Sequence, residues 1–219
     1  MKTVFLLVLM LLALNPTKAQ SELERIASQA MCKCFESQKT FSEEKLGECF
    51  ETSLQDHQDL VLAEMEKIGD SSEEAGFKFG KTLFEKISVG LISECIVYAR
   101  FINQSRQDGI KNFNKDSVRL KLAGFDKMPL SQQTTETYAN AGLCQFILGD
   151  FEQAITQFNK ALSKDPKNFQ AQLFLGWAKE KTSKYDEAIA IYEGMAKETG
   201  SSYFKMFAAL AKLGKEGKL

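Results

Sequence analysis

The chain is short of the residues on which most enzyme chemistry depends. It has one histidine, one tryptophan and three prolines in 219 residues. No glycine-rich phosphate loop and no paired metal-ligand motif is present, so phosphate cradling and motif-borne metal chemistry have no sequence support. A catalytic reading of the lone His57 needs a nucleophile or acid beside it. Asp56 and Asp59 are near in the chain, but nothing in the spacing forces such a pair. His57 instead falls inside an apolar stripe and reads as a partly buried packing residue. Neither sign of charge dominates. Without Lys2 and Lys18 the 28 basic residues fall to 26 against 29 acidic ones, a net charge of −3. That balance gives no support to nucleic-acid binding. No catalytic residue, metal or cofactor is assigned.

No apolar run is long enough to span a bilayer. The longest is Val4–Leu14 within MKTVFLLVLMLLALNPTKA, shorter than the roughly 20 residues a transmembrane helix needs. With Lys2 before it and Thr17-Lys18-Ala19 after it, the run reads as a secretory signal peptide over residues 1–19, with a bacterial character. The mature chain is then expected to be exported, periplasmic or secreted. Five cysteines follow: Cys32, Cys34, Cys49, Cys95 and Cys144. In an oxidising compartment they read first as disulfides. The odd one is Cys144, far in sequence from the rest, which reads as a small buried hydrophobe.

Residues 20–104 carry three helical stripes. Leu23, Ile26, Ala27, Ala30, Met31 and Cys34 form the first. Cys32 lies off that stripe, which predicts that the first helix frays or ends there. Ser42-Glu43-Glu44 opens a second helix, with Leu46, Phe50, Leu54, His57, Val61, Met65 and Ile68 on one face and Gly69-Asp70 at its end. Ser71 with Glu74 reads as a capping box for a third, striped by Phe77, Phe84, Ile87, Leu91, Cys95, Tyr98 and Ile102. The expectation is a three-helix up-down-up bundle. Folding it at its two turns gathers Cys32, Cys34, Cys49 and Cys95 at one end. Two bridges follow, each joining Cys32 or Cys34 to Cys49 or Cys95, with the choice of pairing open. The competing reading is a thiol-based redox or four-thiolate metal site built from the same cysteines.

Residues 105–134 lose the apolar rhythm and read as a linker with one short helix near Val118–Ala123. Asn103-Gln104-Ser105 fits an N-linked glycosylation acceptor, and Asp116-Ser117-Val118 resembles an O-linked acceptor of some exported bacterial proteins.

Beyond residue 135 a pattern repeats at an offset of 34 residues. Tyr138, Gly142, Phe151, Ala154, Phe158, Ala161 and Pro166 return as Gln172, Gly176, Tyr185, Ala188, Tyr192, Met195 and Gly200. A fixed period of this length marks paired-helix repeats. Small residues at Gly142, Ala154, Gly176 and Ala188 let antiparallel helices approach closely, and Phe158 and Tyr192 fill the space beyond. Gly149-Asp150 and Ser183-Lys184 are the turns within each pair. Pro166 ends a helix.

This pattern resembles the tetratricopeptide repeat (TPR) family. Gln172, Met195 and Gly200 depart from it: the family favours an aromatic, alanine and proline there. A last unit from Ser202 to Leu213 makes about two and a half repeats over residues 135–219. The fold class implied is all-α, an N-terminal helical bundle followed by a short TPR-type α-solenoid. The resemblance implies a binding scaffold rather than a catalytic frame. Its concave face would be lined by Ala139, Leu143, Phe146, Ile147, Leu173, Trp177, Glu180, Lys181, Phe204, Phe207 and Ala211. That row is too apolar to stay bare. Either a protein or peptide partner fills it, or the linker, the bundle or a second copy of the chain does.

Overall fold

The structure, a computed structural model, describes residues 21–38 and 42–219. The proposed signal peptide lies outside these residues. Every regular element among them is helical. The first is α1, Glu22–Ser37, opened by a reciprocal capping box between Ser21 and Glu24. It does not fray at Cys32. It runs one turn further because Met31 and Phe35 on its inner face are fully buried and hold it regular.

The expected second and third helices are each broken. Ser42 caps α2, Glu43–Gln55, and a new helix, α3, Gln58–Ile68, starts at His57. His57 therefore stands at a helix start with φ −136° and only part of its surface covered, not in the middle of a packed stripe. Ser72, rather than Ser71, caps α4, Glu73–Glu94, because the Asp70 carboxylate takes the Ser72 N–H and sets the turn one residue later. The chain then bends at Cys95 and continues as α5, Ile96–Lys111. The bend falls on the residue bonded to Cys32. The structure pairs Cys32 with Cys95 and Cys34 with Cys49, each with Cα atoms 5.6 Å apart. All four of these thiols are thereby bonded in pairs, so none of the four stands as a free thiolate.

The stretch from 105 to 134 is mostly helical. It holds the end of α5, then α6, Lys115–Asp126, capped by Asn114, and a 3-10 turn at Leu130–Gln132. Val118 of α6 shares an apolar cluster with Leu143, Cys144 and Ile147, which seals the start of the repeats. The repeats follow as antiparallel pairs: α7, Thr135–Leu148, with α8, Phe151–Lys164; α9, Phe169–Lys181, with α10, Tyr185–Thr199; and α11, Ser202–Lys215, alone.

The reason for the recurring glycines is steric. A methyl group on Gly142 would lie 2.7 Å from the Phe158 ring, and one on Gly176 would lie 2.6 Å from Tyr192. Both rings are wholly buried, so neither can give way. Gln172, off the family pattern, donates from Nε2 to the Pro166 carbonyl at 2.7 Å and braces the turn instead of filling it. The two halves share one core. Phe35 and Tyr98 belong to the same apolar cluster as Tyr192, Phe207 and Leu210, and α4 lies along α11.

Two predictions follow from these elements. The Cys32–Cys95 bridge closes 63 residues and the Cys34–Cys49 bridge 15. Chain entropy then assigns them about 4 and about 3 kcal/mol. Denaturant midpoints of the two paired Cys→Ser variants should fall further for the longer loop; equal losses would contradict this. The second concerns matched turns. Gly149 has φ 93° and its counterpart Ser183 has φ 60°. Ser183→Gly should stabilise by about 0.5–1 kcal/mol and Gly149→Ala should destabilise by about 1 kcal/mol, measured by thermal melting.

Candidate functional site

The inner face of the repeats is built by α7, α9 and α11 and is crossed by α5. Phe146, Trp177 and Phe207 belong to the row expected to be filled by a partner or by another part of the chain. They are buried, Trp177 at 8% exposure. The cover comes from α5, a segment the sequence pattern assigned to the bundle's end and the linker. Arg106 places its guanidinium 4.9 Å from the Trp177 ring centre and 5.6 Å from that of Phe207. It donates to both Glu180 carboxylate oxygens, at 2.9 and 2.7 Å, and to Asn103 Oδ1 at 2.9 Å. Tyr192 adds a third hydrogen bond to Glu180, donating at 2.7 Å. Burial and the neighbouring Glu180 carboxylate hold the Tyr192 hydroxyl well above its usual pKa, so it stays a donor.

The clasp is not fully satisfied. Arg106 Nε and Trp177 Nε1 are buried with no hydrogen-bond partner among the described residues. Lys181 lies beside it and is exposed. Partial desolvation and then the Arg106 charge lower its pKa, with Glu180 opposing and Lys111 adding. Asn103, half-buried on α5, accepts from Arg106 through Oδ1. Ser117 lies exposed in the first turn of α6.

The other groove positions divide. Leu143 and Ile147 turn toward α6 and pack with Leu122 and Phe125. Ala139 and Ala211 are buried in the array. Leu173 and Phe204 remain half-open. From Phe204 the rings continue outward: Phe169 stacks at 6.3 Å, Tyr203 meets it at 5.9 Å, and Tyr203 touches Phe207 at 4.6 Å. Phe169 and Tyr203 are exposed at 44% and 53%. An aromatic path thus runs from buried Phe146 and Trp177, under Arg106, to an open end at α9 and α11.

A tetratricopeptide repeat family model matches residues 147–203. The match takes in the end of α7, the whole of α8, α9 and α10, and the first residues of α11. No curated protein and no solved structure matches the chain. TPR helices of this kind point to a protein-interaction scaffold. The positions expected to pack the repeats, Gly142, Ala154, Phe158, Ala161, Gly176, Ala188 and Tyr192, are all buried. Cys144 is unpaired and buried, and burial raises its thiol pKa against the pull of Lys121. It borders an apolar cavity of about 460 Å³ between α6 and α7.

Arg106 is the residue that sequence reading missed. It sits at Tyr98, Ile102, Arg106, Ile110, a four-residue spacing that keeps it on the buried stripe of α5. A charge on such a stripe calls for a buried partner.

The Arg106–Glu180 pair can be tested directly. Arg106→Met should cost about 3–5 kcal/mol, because it strands a buried carboxylate. Arg106→Met with Glu180→Gln, which keeps an acceptor for Tyr192, should recover about 2 kcal/mol of that loss. Urea unfolding of the two variants decides; a double variant no more stable than the single would contradict the pairing.

Proposed function

We propose that the protein is an exported, non-catalytic scaffold that holds a protein or peptide partner on the inner face of its TPR helices. The observation that carries this reading is the aromatic path and its open end. Phe169 and Tyr203 are exposed rings that each meet Phe204 at a repeat edge, contiguous with a face rich in buried aromatics. Exposed aromatic rings around a half-open apolar floor suit a partner's anchor residues. The TPR match supplies the scaffold class.

Export draws support from the two cross-helix disulfides, which suit an oxidising compartment. No helix among the described residues is long and apolar enough to cross a membrane. The thiol-based redox or metal alternative is weakened because its four cysteines are bonded in pairs.

The test uses substitutions at exposed positions. Phe169→Ser with Tyr203→Ser should change the unfolding free energy by no more than surface changes do, about 0.5 kcal/mol each. Crosslinking in the native envelope fraction should recover a defined protein with the wild-type chain and lose it with this variant. Recovery of the same protein by both would end the concave-face reading.

A further inference from the structure

The clasp at Arg106 has the form of a recognition site with a ligand in it. One guanidinium lies between two aromatic rings, Trp177 and Phe207, and is gripped by a buried carboxylate with both oxygens engaged. The carboxylate is itself fixed by Tyr192 from behind. Planarity, a delocalised charge and a two-pronged donor edge are properties of arginine that lysine lacks. The site therefore selects arginine.

Three features make the Arg106 end of α5 a replaceable occupant rather than a seamless part of the array. The start of α5 is anchored, with Tyr98 and Ala99 wholly buried in the shared core behind the Cys32–Cys95 bridge, but beyond Ile102 the helix meets the inner face through the side chains of Arg106 and Ile110. That end stops at a break over Asn112–Asn114. It leaves Arg106 Nε and Trp177 Nε1 buried without acceptors. A segment that presents a carbonyl or carboxylate oxygen to Trp177 Nε1 would satisfy what α5 does not. Lys181, which makes no ion pair among the described residues, stands beside the clasp to meet such a carboxylate.

We propose that the Arg106 end of α5 is an internal stand-in for the partner, so that the inner face is an arginine-reading pocket, closed by Arg106 until an arginine-bearing helix displaces that end. This rests on the scaffold reading and specifies its partner: a helical segment with one arginine and an acceptor group close to it. Binding is taxed in the closed state, since a partner's apparent affinity scales with the fraction of chains whose pocket is open.

Trp177 is the sole tryptophan, so its fluorescence reports on the pocket directly. The probe is a synthetic peptide with the sequence of residues 96–111, titrated into the full chain carrying Arg106→Ala. Saturable binding is expected, about tenfold tighter than to the wild-type chain. The same peptide carrying Arg106→Ala should bind about tenfold more weakly, and Glu180→Gln in the protein should weaken binding by a similar factor. Because Arg106→Ala can compromise folding, the wild-type chain gives a second measurement. Excess peptide should accelerate amide hydrogen exchange in α5 while slowing it in α9. Equal binding of the peptides with and without Arg106, or no change in α5 exchange at saturating peptide, would overturn the proposal. If the wild-type chain captures its envelope partner while Arg106→Ala gains no peptide affinity, the scaffold reading stands and the arginine latch fails.

Discussion

Tyr192 is where the packing of the repeats and the electrostatics of their inner face meet. Its ring occupies the space that Gly176 leaves by lacking a side chain, at a distance where a methyl group could not fit. Its hydroxyl reaches past that contact to Glu180 and fixes the carboxylate that grips Arg106. One buried side chain therefore ties α10 to α9 and, through two further groups, to α5. Move the ring and the carboxylate loses its support; lose the carboxylate and the arginine has no reason to be buried. The arrangement is costly to dismantle in part, because each group removed leaves another buried and unpaired.

The N-terminal half takes its meaning from this contact. A helical region of this size with few fully buried side chains in α2 and α3 gains little from its own core. The bridges at Cys32–Cys95 and Cys34–Cys49 compensate by fixing the helices to one another. The first also places the start of α5, since Cys95 is the last residue before that helix. From there α5 projects toward the repeats, and α4 packs along α11. The same apolar cluster runs through both halves, so the region before the repeats serves to position one arginine over the repeat face.

The paired helices were legible because repetition is written in small residues. Gly142 and Gly176 recur with aromatic residues sixteen positions later, and only close packing rewards that pattern. The helix start at Ser42 was likewise local, its side-chain oxygen accepting a backbone N–H within the first turn. The breaks at His57 and Cys95 were not legible. Both interrupt continuous apolar stripes without a proline or glycine, and periodicity sees only the stripe. What fills the inner face was not legible for the same kind of reason. Its residues are apolar in the right order, but nothing local says what lies opposite.

The sequence by itself determined the all-helical class and the repeat period, because these depend on spacing within a turn or within one helix pair. Tertiary structure alone decided that Cys32 joins Cys95, that α6 seals the first repeat, and that Arg106 lies between Trp177 and Phe207. Each of these joins residues more than 20 positions apart. Such contacts depend on where whole helices come to rest, and the energy that places a helix is summed over its entire buried face rather than carried by any short motif.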